Sequence, residues 1–178
     1  MPHHLETPTL FIMIGLPGSG KSSFVQRILP HCRHISLDRL HKRPREERTF
    51  LQALSEQVDI VIDNTNPTRH DRQRYMPQAS KAGYRIVGYF MRSKISECLA
   101  RNAQRQGKAR VPDVAIRSIS AMMEYPVLEE GFDELGSVGN FVSRTIITGG
   151  QSSKVAHFLY GFSAGFGVCG GGGGGAHA

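Results

Sequence analysis

The stretch GLPGSGKSS, from Gly15 to Ser23, limits the possible folds more than any other part of the chain. It fits the pattern G-x-x-x-x-G-K-[ST] and lies between the apolar run LFIMI and a helical pattern that begins at Lys21. Its glycines allow successive backbone N–H groups to turn inward around an anion, and the following helix adds its positive N-terminal end. The pattern therefore predicts a strand, a loop and a helix that hold the phosphates of ATP or GTP.

The residue types of this loop indicate separate roles in nucleotide binding. The Lys21 ammonium is expected to reach the β- and γ-phosphates, and the Ser22 hydroxyl is expected to ligate Mg²⁺. A glycine-rich turn without a ligand is the alternative interpretation. The predicted nucleotide-binding residues of the loop are Gly15, Pro17, Gly18, Ser19, Gly20, Lys21, Ser22 and Ser23.

Strand-like and helical patterns alternate along most of the chain. Strands are predicted at 10–14, 35–37, 58–62 and 84–91, and helices at 21–29, 44–57, 67–81, 93–104 and 112–125. Pro77 falls inside the third helix, so we expect a break near Met76. This order predicts an α/β fold of three layers, with a mostly parallel central sheet and a lid of helix and loop.

The length of 178 residues suits one domain with a sizeable core. We expect an N-terminal extension at 1–9, a kinase-type domain at 10–142, and a flexible, non-catalytic tail at 143–178 that contains six consecutive glycines. The three cysteines are widely spaced, with no CxxC pair and no cluster of cysteine and histidine at metal-binding spacing. Neither a disulfide framework nor a zinc site is indicated.

The charge of the chain favours an anionic partner. The net charge is +7 and the isoelectric point is about 9.7, which suits nucleic acid or nucleotide, although basic proteins also carry charge for solubility alone. No leader pattern and no membrane-length apolar run is present, so we expect an intracellular protein of the cytoplasm or nucleus that is not secreted.

Two carboxylates follow predicted strands and are expected at the carboxyl edge of the sheet. Asp38 is placed to accept a proton from an acceptor hydroxyl, or alternatively to cap the next helix. Asp63 is placed to orient the water shell of the metal or the Lys21 ammonium, or alternatively to end its strand in a turn.

A basic segment between Ala100 and Asp113 is a candidate lid. Arg101 and Arg105 stand four residues apart, and Lys108 and Arg110 follow them. Arginine from a closing lid stabilises a γ-phosphoryl group during transfer. The alternative is a solvated basic helix end that the helix dipole favours.

These motifs resemble the P-loop polynucleotide kinases, including the kinase domain of polynucleotide kinase-phosphatases. The resemblance rests on GLPGSGKSS, ISLDRL, VIDNTNP, RNAQRQGKARVP and YPVLEEGF, which together span most of residues 10–132. It implies that Asp38 is the general base and that Arg105 is the lid arginine on the donor phosphates, with Arg101 beside it. The residues on which we expect catalysis to depend are Lys21, Asp38 and Arg105. The acceptor site that it implies includes Asp38, Asp63, Asn64, Thr65 and Asn66, and we expect His41 and Arg69 to bind the acceptor as well.

The chain departs from the family pattern near the catalytic aspartate. Where the family carries arginine just before or shortly after that aspartate, this chain has Leu37 and His41. The residues that we expect to substitute are Arg39, Arg43 or the cluster of Arg69, Arg72 and Arg74. No DxDGT phosphatase signature occurs, so we expect any phosphatase partner to be a separate protein.

The resemblance implies an ATP- and Mg²⁺-dependent enzyme that transfers the γ-phosphoryl group to the 5′-hydroxyl of a polynucleotide. Two alternatives remain open at this stage. One is a kinase for a small metabolite such as a nucleoside or sugar, because one scaffold hosts many acceptors. The other is a non-catalytic ATP-binding module.

Overall fold

A computed structural model describes residues 7–139 and the backbone of Thr145–Thr148. The strands are β1 (Thr9–Ile14), β2 (Arg33–Ile35), β3 (Ile60–Ile62), β4 (Arg85–Met91), β5 (Glu134–Val138) and β6 (Thr145–Thr148). The helices are α1 (Lys21–Ile28), α2 (Leu37–Leu40), α3 (Arg43–Ser55), α4 (Arg69–Arg72), α5 (Met76–Lys81), α6 (Ile95–Ala103) and α7 (Asp113–Ala121). Short 3₁₀ turns lie at Gly107–Ala109 and Leu128–Glu130.

The strands form one sheet in the order β2-β3-β1-β4-β5-β6, in which the first five are parallel and β6 runs antiparallel to β5. Two apolar clusters cover the two faces of this sheet, one around Ile12 and Phe50 and the other around Met13 and Val25. Because side chains alternate along a strand, the consecutive apolar residues of β1 supply both clusters.

The central position of β1 decides where the site lies. Ile12 is in register with Ile62 of β3, and Ile14 is in register with Phe90 of β4. The carboxyl ends of β1, β3 and β4 therefore meet at one edge of the sheet. After β1 the chain continues to β2 on one side of β1, and after β3 it crosses to β4 on the other side. Such a reversal of strand order opens a ligand crevice in parallel sheets.

The predicted fold class is confirmed, and most predicted elements are found within a few residues of their expected bounds. The predicted break near Met76 separates α4 from α5, and Pro77 occupies the first turn of α5, where its missing N–H costs nothing. Strands β5 and β6 were not predicted. Strand β6 falls inside the segment that we expected to be a tail, whose other residues lie outside the described part of the chain, as do residues 1–6.

None of the helices in the described part of the chain combines the length and the apolar character needed to cross a membrane.

A buried ion pair holds α4 against the turn at Leu128–Glu130. The Arg72 guanidinium is fully buried and donates two hydrogen bonds of 2.7 Å to the Glu130 carboxylate. It also donates to the backbone oxygens of Asn66, Pro67 and Glu124. The prediction that Arg72 belongs to an arginine cluster for the acceptor is therefore wrong, because all of its contacts are internal.

Replacing Arg72 by Ala should lower the free energy of unfolding by about 3–5 kcal/mol, because the buried Glu130 charge loses both close hydrogen bonds and keeps only the longer contact of 3.9 Å with Arg69. Urea unfolding measures this loss. Arg74→Ala is the matched control, since it removes the same charge from a half-exposed side chain whose ion pair with Asp71 spans 3.9 Å. Similar small losses for both variants would contradict the structural role of Arg72.

Candidate active site

The loop after β1 is built around glycines with left-handed backbone angles. Gly18 has φ +78°, and a Cβ atom there would lie 2.7 Å from the backbone oxygen of Cys98 on α6. Gly20 has φ +95° and immediately precedes α1. The backbone N–H of Gly15 donates to the Thr65 oxygen at 3.0 Å, which joins the start of the loop to the segment after β3. These positions therefore require glycine for backbone angle and for close packing.

Two buried polar atoms lie in the residues that form this edge of the sheet. Ser19 Oγ and Asp63 Oδ1 are both buried and have no hydrogen-bond partner among the described residues. Such atoms are uncommon in folded proteins, because an unmet polar group costs free energy. A phosphate oxygen near Ser19 and a hydrated Mg²⁺ near Asp63 are ligands that fit these two atoms. The exposed Ser22 hydroxyl can also accept the ion, as the sequence predicts.

Lys21 has a buried ammonium group at the base of the loop. Its Nζ donates to the backbone oxygens of Gly15 at 3.0 Å and Leu16 at 2.8 Å. Burial lowers the pKa of Lys21 to about 8, while the nearby carboxylates of Asp63 and Asp38 oppose the shift and Arg105 adds to it. Asp38, Asp63 and Arg105 thus all act on one ammonium group, so the fold brings together residues far apart in sequence.

Asp63 is the most tightly held carboxylate of the site. Its side chain is 3% exposed, and Oδ2 lies 3.0 Å from Nε2 of His34. Burial alone would raise the pKa of Asp63, but His34, the Ser22 hydroxyl and the Lys21 ammonium outweigh it and hold the pKa below its ordinary value. The Ser22 hydroxyl is close enough to lower the pKa of Asp63, although it makes no well-formed hydrogen bond to Oδ1. Asp63 therefore remains charged at neutral pH.

Asp38 is exposed on α2, which begins directly after β2. The first backbone N–H of this helix, that of Leu37, donates to the Asn64 amide oxygen at 2.9 Å. The Asn64 amide nitrogen in turn donates to Glu46 and Tyr75, two buried residues of the core. Asn64 therefore anchors the short helix that presents Asp38 to solvent.

The rest of the DNTNP segment also makes internal contacts. The Asn66 amide donates to the Met13 oxygen at 2.8 Å from a left-handed backbone position with φ 42°. Thr65 supplies the carbonyl that holds Gly15. We predicted Asp63, Asn64, Thr65 and Asn66 as acceptor-binding residues, and this remains a prediction. The contacts found here assign the two asparagine side chains to holding the loops of the site.

The two candidate lid arginines occupy different surroundings. Arg101, in the last turn of α6, donates from Nε to the Gly18 oxygen at 2.6 Å and so braces the phosphate loop. Arg105 is exposed beyond the end of that helix. Asn102 was not among the predicted site residues, yet it is fully buried and its amide bonds both the N–H and the oxygen of Val111. This pair of bonds joins the two ends of the loop at 104–110. Of the two lid candidates, Arg105 is therefore the more exposed, since Arg101 is held by the Gly18 oxygen.

The remaining acceptor candidates differ in accessibility. His41 is exposed and ends α2 with a left-handed φ of 62°. Arg43 pairs with Glu46 at 2.8 Å, and Arg39 contacts His34, so both are engaged within the chain. Arg69 is 60% exposed, its Nε lies 3.9 Å from a carboxylate oxygen of Glu130, and it lines a groove of about 590 Å³. This groove, the Tyr125 groove, is also lined by His70, Gln73, Glu124, Tyr125 and Glu130.

A second set of possible metal ligands lies at the opposite edge of the sheet. His31, Cys32 and Asp59 present one ligand atom each within 4.8 Å of one another. Burial raises the pKa of Cys32 to about 12, with a further contribution from Asp59. Without a metal bound, the thiol therefore keeps its proton at neutral pH.

Comparisons with known proteins agree with this geometry. A family model described as an AAA domain matches residues 44–126. The chain is 27% identical over 147 residues to the bifunctional polynucleotide phosphatase/kinase of Schizosaccharomyces pombe, across 77% of this chain and 36% of the relative. It is 30% identical over 146 residues to a putative bifunctional polynucleotide phosphatase/kinase of Acanthamoeba polyphaga mimivirus, across 78% of this chain and 35% of the relative. The chain thus spans about a third of the length of these curated relatives.

Solved structures share the fold at low sequence identity. A gluconokinase from Sinorhizobium meliloti superposes with a TM-score of 0.52 and 18% identity, over 74% of this chain and 82% of that one. Kti12 of Chaetomium thermophilum, in complex with ADP-AlF3, superposes with a TM-score of 0.57 and 16% identity, over 74% and 89%. The resemblance to polynucleotide kinases and the P-loop kinase fold are thereby confirmed.

The buried Lys21 ammonium predicts a pH-dependent stability difference. The folded chain releases this proton near pH 8, whereas the unfolded chain retains it up to the ordinary value of 10.5. Because the unfolded state binds more protons between these values, this group destabilises the fold below pH 8, and the destabilisation disappears as the pH rises towards 10.5. The free energy of unfolding of Lys21→Met, relative to wild type, should therefore be higher at pH 7 than at pH 10. The difference between the two pH values should be at most on the order of 3 kcal/mol.

Urea unfolding at both pH values measures this difference. Lys81→Met is the control, because Lys81 is exposed and its replacement should leave the profile parallel to wild type. A Lys21→Met profile that also runs parallel would contradict the burial of the ammonium group.

Proposed function

We propose that this chain transfers the γ-phosphoryl group of ATP to the 5′-hydroxyl end of a polynucleotide. The observation that carries the proposal is the convergence of Asp38, Asp63 and Arg105 on the Lys21 ammonium at the end of β1. One acidic residue is exposed, one is buried and charged, and the arginine is exposed just after α6. These are the groups that phosphoryl transfer needs for proton removal, metal orientation and charge neutralisation.

The donor side of the reaction depends on the loop backbone and Lys21. The inward N–H groups and the ammonium hold the phosphates, while Ser22 and Asp63 would hold Mg²⁺, directly and through water. When bound, this ion neutralises charge that develops on the phosphoryl oxygens. Arg105 adds positive charge from the lid side, and Arg101 keeps Gly18 in position. Phosphoryl transfer demands mainly such positioning and charge stabilisation from the protein.

The acceptor side depends on Asp38. Its carboxylate takes the proton of the attacking hydroxyl, and its exposed position on α2 leaves it accessible to the end of a large substrate. A buried base would suit a small, enclosed acceptor better. Asn64 keeps the first turn of α2 in place, which fixes the backbone that carries this base.

Three further features support a polynucleotide acceptor. The chain resembles relatives that are named polynucleotide phosphatase/kinases, and its net charge is +7. The Tyr125 groove offers the third feature. Tyr125 is 74% exposed, and the centroid of its ring lies 5.2 Å from that of Phe90 in a T-shaped contact. Aromatic rings stack on nucleobases with little regard to sequence, and Arg69 beside it provides a cation for phosphate.

The proposal is tested with γ-labelled ATP and a panel of acceptors. A 5′-hydroxyl oligonucleotide should be labelled efficiently and with little sequence preference, because contacts to sugar and phosphate carry no sequence information. Apparent oligonucleotide affinity should fall with salt, with a slope of log K against log salt of about −0.7 for each phosphate contacted. Labelling of a nucleoside or gluconate alone would replace the polynucleotide acceptor by a small one. ATP binding without any transfer would identify a binding module.

Asp38→Asn should retain ATP binding and lose transfer by about 10²- to 10⁴-fold, because the amide cannot take the hydroxyl proton. The control is Glu129→Gln, which removes one negative charge at an exposed position outside this group of residues. If Asp63→Asn shows this pattern and Asp38→Asn does not, the roles of the two carboxylates are exchanged.

Arg105→Ala should lower kcat much more than it weakens ATP binding, because its charge matters chiefly as the γ-phosphoryl group leaves. Lys108→Ala is the matched control on the same exposed loop. Single-turnover rates and equilibrium ATP binding separate the two effects. Equal losses in both quantities would make Arg105 an ordinary ground-state contact.

A further inference from the structure

A chain of three side chains extends from the surface to the buried carboxylate of the site. Arg39 Nη1 lies 3.3 Å from His34 Nδ1, and His34 Nε2 lies 3.0 Å from Asp63 Oδ2. The Arg39 side chain is exposed, His34 is 19% exposed and Asp63 is 3% exposed. None of the motifs in the sequence accounts for His34, because it lies on β2 before the ISLDRL segment.

The order of donors in this chain follows from the arginine. A guanidinium group only donates hydrogen bonds, so His34 Nδ1 must accept from Arg39. The ring proton is then on Nε2 and is donated to Asp63 Oδ2. The Asp63 carboxylate only accepts hydrogen bonds and so requires the same tautomer, and the contact from Arg39 holds the outer edge of the ring in that state.

The other oxygen of the same carboxylate is left without a partner. Asp63 Oδ1 is buried and receives no hydrogen bond from the described residues, while Lys21 and Ser22 act on this carboxylate from the phosphate-loop side. A carboxylate held by one oxygen cannot rotate freely, so its second oxygen keeps a constant direction. The free oxygen is therefore presented at the place where the nucleotide and its ion would bind.

We propose that His34 is a positioning residue, which fixes Asp63 through Oδ2 so that Oδ1 receives the water shell of the Mg²⁺ that accompanies ATP. This inference rests on the nucleotide site of the proposed function but not on the identity of the acceptor. His34 itself touches neither nucleotide nor acceptor in this role. Its effect is a stronger coupling between Mg²⁺ binding and ATP binding.

A purely structural role for His34 predicts a different result. In that case any replacement would change stability and leave the coupling between Mg²⁺ and ATP unchanged in the protein that remains folded. The readout is therefore the ratio of two dissociation constants for a fluorescent ATP analogue, measured without and with Mg²⁺. This ratio does not require turnover, and a folded fraction below one lowers the amplitude of the signal rather than the ratio.

Two amides separate the contacts of the imidazole. In His34→Gln, the side-chain nitrogen reaches the place of Nε2 and can still donate to Asp63. In His34→Asn, the shorter amide reaches the place of Nδ1 and can meet Arg39 but not Asp63. His31→Ala is the control, because His31 precedes the same strand, is 67% exposed and faces Asp59 instead. Asp63→Asn gives the full loss of the carboxylate, and melting curves verify that each variant is folded.

We expect His34→Asn to lower the ratio about 10- to 100-fold, as loss of an outer hydrogen bond at a metal site typically does. His34→Gln should stay close to wild type, and His31→Ala should equal it. Arg39→Ala, a surface change that leaves the core intact, should lower the ratio by less than His34→Asn, because the bond from Nε2 to Asp63 remains and only the outer contact on Nδ1 is lost.

The proposal is overturned if folded His34→Asn keeps the wild-type ratio, or if His34→Gln and His34→Asn lower it equally. It is also overturned if Asp63→Asn leaves the ratio unchanged, since Asp63 would then have no part in ion binding. Failure to label any polynucleotide overturns the proposed acceptor alone. The binding ratios are obtained without acceptor, so they still decide the role of His34.

Discussion

The burial of one ammonium group constrains the rest of the site. Lys21 is 8% exposed, and burial lowers its pKa to about 8, so its charge must be offset by groups that the fold brings to it. Asp63 supplies a buried negative charge beside it, and the carbonyls of Gly15 and Leu16 accept its hydrogen bonds. An incoming triphosphate would complete the same compensation. Because burial leaves this ammonium short of solvation, an anionic ligand that pairs with it recovers part of that cost.

The segment after β3 joins the parts of the site mechanically. Thr65 holds the start of the phosphate loop, Asn66 holds the end of β1, and Asn64 holds the start of α2. Arg72 then fastens the same segment to the turn before β5 through the Asn66 and Pro67 oxygens. A shift in this segment would move the phosphate loop and the helix that carries Asp38 together. Rigid connection of this kind suits the proposed phosphoryl transfer, because its rate depends on alignment.

Local chemistry explains which features were predictable. The glycine loop, the buried strands and the break before Pro77 follow from backbone angles and apolar patterns that neighbouring residues define. Strand β5 was missed because ELGSV contains a glutamate and two small residues, and its burial comes from pairing with β4. Arg72 was misjudged for a similar reason. Three arginines within six residues indicate a basic surface, and only the distant Glu130 shows that one of them is internal.

The sequence by itself determined the phosphate loop, the alternation of strands and helices, and the two strand-end carboxylates, because each depends on residues within one short segment. Only the tertiary structure decided that Asn64 and Asn66 hold loops, that Arg101 braces the phosphate loop while Arg105 stays exposed, and that His34 reaches Asp63. These contacts join residues that are distant in sequence. Their energies depend on burial and hydrogen-bond direction, which exist only once the sheet has placed the ends of its strands side by side.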